Sequence, residues 1–173
     1  MRIARRLFVV VLADNDHGKT HMMNALLSQG LGSSSPGRKG YRVLRSPWGR
    51  RIFSYVFVRS FQETERGEHR TVEAALDAND PEWRKRELII FPSHVEVDAT
   101  RQMLKSAHNA GFDAVCAAIV LGDGDRRSYA DVWDLSWDER WTVPNRRRES
   151  GWEAQVDVLG RDLWIWICEA LAK

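Results

Sequence analysis

The chain has 173 residues, of which 43% are apolar and 29% charged, with 26 Lys and Arg against 24 Asp and Glu. That length fits one compact domain, read here as residues 1–173, and a formal charge of +2 excludes a strongly nucleic-acid-coating protein or an acidic disordered tail. Two cysteines, Cys116 and Cys168, cannot build a disulfide framework and fit buried thiols in a reducing, cytoplasmic setting, while no run reaches the roughly 18 apolar residues that cross a bilayer, so no membrane partner is expected.

The basic, apolar start (residues 1–13) is also how a secretory leader begins. Its apolar run is short for one and leads straight into a loop motif, so residues 6–13 are read as a strand. That strand is apolar on both faces, which only an interior strand covered by helices can be. Residues 19–29 carry Met22, Met23, Leu26 and Leu27 at helical spacing, and 30–40 read as a surface loop. Residues 41–46 and 51–60 are strand-like and joined at Pro47-Trp48-Gly49, as in a hairpin. A short helix is expected over 71–78 and a buried strand over 87–91, stopped by Pro92. Residues 98–110 place Met103, Ala107 and Ala110 on one helical face, with Gly111 as the stop. Residues 113–121 form another buried strand and 141–143 a last short one. Over 152–171, Val156, Leu159, Leu163, Trp166 and Ala170 make the packing face of a long helix. Strands alternating with helices predict an α/β fold, a three-layer sandwich around a mainly parallel sheet. Residues 30–40 and 122–130 are the segments expected to move most.

The sharpest chemical signal is Ala13-Asp14-Asn15-Asp16-His17-Gly18-Lys19-Thr20. It fits a phosphate-binding loop with Ala in place of the first Gly. Such a loop needs a strand that delivers backbone N–H groups around an anion. Gly18 lets the backbone approach the phosphates, Lys19 brings a point charge to the terminal ones, and the Thr20 hydroxyl ligates Mg²⁺. The helix starting at Lys19 adds its positive end. His17, within the loop, is positioned to touch a γ-phosphate, and His21 follows it closely.

These residues resemble the P-loop nucleoside triphosphatases, most strongly over residues 6–29. Dethiobiotin synthetase-like members carry Gly-Thr-Asp-Thr-x-x-Gly-Lys-Thr. Here Asp14 matches the acid and Gly18-Lys19-Thr20 the end, while the first Gly and the Thr after it are missing. The layout of strand 87–91, helix 98–110 and the strand ending Val120-Leu121-Gly122 is similar to the broader class that holds the MinD- and ParA-like ATPases. That resemblance implies bound ATP with Mg²⁺. It places Asp123 where the class often has a base-reading Asn, and Pro144 and Asn145 beside the adenine. Gly122-Asp123-Gly124-Asp125 lacks the Asn-Lys-x-Asp reader of GTP-specific relatives, which favours ATP.

A P-loop hydrolase usually ends a second apolar strand in an Asp that holds the metal's water shell. Here Leu88-Ile89-Ile90-Phe91 runs into Pro92-Ser93-His94, where neither Ser93 nor His94 supplies negative charge. Glu63, after the strand 51–60, is the carboxylate expected to orient the metal or the nucleophile, with Asp14 or Asp16 as the alternative. Expected catalytic groups are therefore Lys19, Glu63 and Asp16, and expected metal ligands Thr20 and Glu63. The histidines are not at metal-site spacing, so no zinc site is expected.

Arg66, His69 and Arg70 form a basic segment that could hold an anionic second substrate. Arg146-Arg147-Arg148 read as a solvated loop, with phosphate cover or a nucleic-acid contact as the alternatives. Six of the eight tryptophans follow residue 130. Trp133, Trp137 and Trp141 recur every four residues, which on a helix puts them on one face. Packing against the sheet is favoured over a partner surface. The sequence thus leads to phosphoryl transfer or ATP hydrolysis with Mg²⁺. The alternative is a nucleotide-dependent switch that turns over slowly and signals to protein or nucleic-acid partners through 30–40, 61–70 and the Trp-rich surface.

Overall fold

In the computed structural model, six strands form one sheet in the order β2-β3-β4-β1-β5-β6. The structure describes residues 4–14, 17–32, 37–120, 129–145 and 151–173. The strands are β1 (Leu7–Leu12), β2 (Gly40–Arg45), β3 (Arg51–Val56), β4 (Leu88–Ile90), β5 (Asp113–Val120) and β6 (Glu139–Pro144). All pairs are parallel except β2–β3. The helices are α1 (Lys19–Leu31), α2 (Phe61–Thr64), α3 (Val72–Asn79), α4 (Val97–Asn109) and α5 (Trp152–Ala172), with a 3₁₀ turn at Trp83–Lys85. Residues 129–133 are also helical.

β1 lies between β4 and β5 with every residue buried, as expected of a strand apolar on both faces. Its period-2 alternation feeds two cores. Leu7, Val9 and Val11 pack with Met22, Leu26, Leu163, Trp164 and Ile167 on the side of α1 and α5. Phe8, Val10 and Leu12 pack with Leu76, Trp83, Met103 and Phe112 on the side of α3 and α4. Helices therefore flank the sheet on both faces, an arrangement compatible with the expected sandwich. No helix among the described residues is long and apolar enough to cross a membrane.

α1 and α5 approach closely because Gly160 has no side chain. A Cβ there would lie 2.7 Å from the Ala25 Cβ. The hairpin forms where expected. Gly49, at φ 87°, donates to the Ser46 carbonyl, and Ser46 Oγ accepts from the Arg50 amide. Gly111, at φ 75°, follows the end of α4.

Trp133, Trp137 and Trp141 do not share one helix, and all three pack against the sheet, the favoured expectation. The helical residues end at Trp133, Trp137 follows in the connection, and Trp141 lies in β6. Trp133 and Trp137 pack on one face of the sheet and Trp141 on the other. The competing force is the open edge of β5. The Asp138 amide donates to the Ala114 carbonyl, and Asp138 Oδ2 accepts from the Ala114 amide at 2.7 Å, which starts β6 pairing. The expected mobile segment 122–130 and Arg146, Arg147 and Arg148 lie wholly or mostly outside the described residues, as does 33–36 within the expected loop 30–40.

Glu65 is the one carboxylate whose side chain is wholly buried among the described ion pairs. It accepts from Lys39 Nζ at 2.5 Å, Asn79 Nδ2 at 2.8 Å and the Thr64 hydroxyl at 3.2 Å, with His69 Nε2 at 3.8 Å. The cluster ties the entry of β2 to α2 and α3.

Candidate functional site

The loop between β1 and α1 emerges at the carboxyl end of the sheet, where open α/β sheets bind ligands. Gly18 takes φ 88° and ψ 15°, a left-handed conformation open to glycine, and forms the N-cap of α1 without a side-chain cap. The first turn of α1 holds no acidic side chain. Its leading N–H groups thus face the loop uncapped by any side chain, which makes that end receptive to an anion.

Lys19 folds back across the loop, its Nζ donating to the Ala13 carbonyl at 3.2 Å. Burial pushes its pKa below the ordinary lysine value, while the charges of Glu63 and Asp14 act to raise it. The ammonium is thus partly desolvated with acidic neighbours. Thr20 is exposed in the first turn of α1. Asn15 and Asp16 lie outside the described residues, as does Asp123.

Glu63 arrives on α2, which starts just past β3. Burial acts to raise its pKa, but hydrogen bonds from Ser60 and then the charge of Lys19 hold it below the ordinary carboxylate value. Its Oε2 accepts from the Ser60 amide at 3.0 Å and the Ser60 hydroxyl at 2.5 Å, a capping box that closes this one-turn helix. Glu63 therefore stands within electrostatic reach of Lys19, with one oxygen committed to its own helix.

His94 follows β4 and completes the group. Burial and then the Lys19 charge lower its pKa, against the opposing charges of Glu63, Asp14 and Glu96, so it is neutral near pH 7. Gln62 locks α2 to this strand end. Its amide donates to Ser93 Oγ at 3.0 Å, and its carbonyl accepts from the His94 amide at 3.1 Å. Arg66 pairs with Glu96 and His69 lies near Glu65, so two of the three residues expected to hold a second anion are engaged within the protein. Arg70 is exposed.

Asn145, just past β6, is buried, and its Nδ2 donates to the His17 carbonyl at 2.8 Å. A Cβ on Gly18 would meet that same nitrogen at 2.8 Å. Asn145 thus pins the loop from below. Pro144 is exposed and pairs in register with Val120. His21 is turned to α5, with Nε2 at 2.9 Å from Asp157 Oδ1 and its ring against Trp152. Two buried polar atoms at the loop, His17 Nδ1 and Asn145 Oδ1, lack a hydrogen-bond partner. Asn145→Ala should cost about 1–3 kcal/mol, the usual cost of orphaning a buried polar group, measured by urea unfolding. An unchanged midpoint would show that the loop keeps its shape without the pin.

Sequence reasoning did not find the roles of Gln62, Ser93 and Asn145. The bonds they make join segments far apart in the chain, and only the Ser60-Phe61-Gln62-Glu63 capping pattern was visible locally. No protein-family model matches this chain, and no curated protein matches it.

Proposed function

We propose that this is a Mg²⁺-dependent nucleoside triphosphate-binding protein of the P-loop type that transfers or hydrolyses the terminal phosphoryl group, with ATP as the favoured nucleotide. The observation that carries the reading is Lys19, which spans the loop to the Ala13 carbonyl at the uncapped start of α1, with Glu63 and His94 as its charged and polar neighbours. A triphosphate fits this end chemically. It would meet an ammonium and uncapped N–H groups, and the unpartnered His17 Nδ1 adds a polar atom at the loop.

The donor set also fits Mg²⁺. No cluster of three His, Cys, Asp or Glu that could cage a metal occurs among the described residues. Mg²⁺ is usually held by phosphates, waters and one or two protein oxygens, here Thr20 and a carboxylate such as Glu63. When bound, it would neutralise charge building on the β/γ oxygens. Lys19 would bind and orient the same oxygens. The free oxygen of Glu63 would orient the attacking group, and neutral His94 would donate to or accept from phosphate or substrate. Asp16 remains the alternative carboxylate.

One observation favours a slow switch as the second reading. β4 ends without an acid, and Glu63 Oε2 is engaged by Ser60. The deciding experiment is a thermal-shift panel of ATP, GTP and ADP with and without Mg²⁺, followed by phosphate release. A nucleotide at about 100 times its Kd should add roughly 2.7 kcal/mol. Glu63→Gln should cut turnover about 10²-fold or more and spare ATP binding. Equal turnover in both proteins would move the role to Asp14 or Asp16. Tight ATP binding without wild-type turnover would favour the switch.

A further inference from the structure

A cavity of about 470 Å³ opens between the ends of β5 and β6 and the helical residues 129–133. It lies on the sheet face of α3 and α4, opposite α1. Ala118, Val120 and Thr142 contribute its strand side, and Tyr129, Trp133 and Asp134 its helical side. Ala118, paired in register with Thr142, contributes only a methyl to the lining. Tyr129 is fixed there, its hydroxyl donating to the Ile119 carbonyl at 2.7 Å. Trp133 is half-buried, and its own carbonyl accepts from Arg140 Nε at 2.9 Å. Its backbone is thereby anchored beside the cavity.

The chemistry of this lining selects a ligand class. The volume lies in the range of small-molecule sites, roughly 300–1,000 Å³, and such sites combine apolar walls with a few polar groups. The indole offers a face for stacking. The one charged group among the described lining residues is the Asp134 carboxylate, which no described side chain pairs with. A carboxylate accepts hydrogen bonds and repels phosphate. We propose that the cavity binds a planar aromatic ring carrying amino or amidine N–H donors on its edge and no phosphate. The ring stacks on Trp133 and its donors meet Asp134. The site stands apart from the Lys19 loop and does not depend on a nucleotide there. Even so, Ala118 is paired in register with Leu12, the last residue of β1 before that loop.

The test is calorimetric titration of the full chain with benzamidine, cytidine and adenosine as probes. At least one should bind in the wild type. Asp134→Asn and Trp133→Ala should each weaken it roughly tenfold or more, the scale of a lost charge-assisted bond or aromatic stack. Ala118→Leu, which fills the cavity without touching either group, should do the same. Lys19→Ala should leave the affinity unchanged, which separates this site from the loop. Circular dichroism and the thermal midpoint identify variants that fail to fold, and exposed Asp134→Asn is the variant least able to disturb packing. Failure of all three probes to bind at about 10 mM, a concentration that detects even weak fragments, or equal binding by wild type, Asp134→Asn and Ala118→Leu, would overturn the proposal.

Discussion

Lys19→Ala should abolish ATP binding, by about 10²-fold or more in Kd, while leaving the fold intact. The ammonium makes one described hydrogen bond, to the Ala13 carbonyl, and no described ion pair within hydrogen-bond distance. Its removal therefore breaks one hydrogen bond and no described ion pair. Toward a triphosphate it would supply charge-assisted bonds, each worth about 1.5–3 kcal/mol. The same variant carries a second readout. The Lys19 charge is one of the causes that depress the His94 pKa, after burial. In Lys19→Ala, His94 should titrate higher by NMR, closer to its ordinary value. Unchanged ATP affinity with a displaced His94 titration would reject the phosphate-loop reading while keeping the site's geometry. An unfolded variant would reject the premise that Lys19 is dispensable to packing.

The largest stability effect should come from Glu65→Ala, a loss of about 1–3 kcal/mol, the usual cost of leaving buried polar groups without a partner. Glu65 has no exposed side-chain surface, whereas Lys39 is 39% exposed and can return to water. The cost lies in the groups left behind. Asn79 Nδ2, which donates to Glu65, loses that acceptor while keeping its bond to the Ala75 carbonyl, and the Thr64 hydroxyl loses one partner. Glu65→Gln keeps the volume and one acceptor for Asn79, so it should cost clearly less. Urea unfolding of both variants measures the difference. Equal stability of Glu65→Ala and wild type would mean that the cluster contributes nothing net.

The sequence made the strands β1, β4 and β5 legible because burial on both faces leaves uninterrupted apolar runs, such as Leu88-Ile89-Ile90. It also made the loop before α1 legible, since strand, Gly-Lys-Thr and helix follow one another directly. α2 escaped because four residues carry no periodicity, although Ser60 and Glu63 spell its capping box. The spacing of four between Trp133, Trp137 and Trp141 fits a helix face, but the helix ends at Trp133 and β6 starts at Glu139, so the pattern does not reveal that the three fall in three different segments. The pin from Asn145 to His17 and the clamp from Gln62 to Ser93 join residues that only the sheet order brings together. No local pattern announces them.

The position of β1 has a consequence for how the chain reaches its native state. The strand that precedes the loop is made well before its two neighbours, which begin at Leu88 and Asp113. Until β4 has been made both edges of β1 are unpaired, and until β5 has been made one still is, with a long apolar run in solvent. Closing such distant pairings requires large loops to be ordered before the contacts reward them, which slows folding and leaves strand edges open to other chains. The loop and Lys19 can therefore be held in place only after β5 has been made. A nascent chain stopped before residue 113 would carry the whole Gly18-Lys19-Thr20 motif without the sheet that positions it.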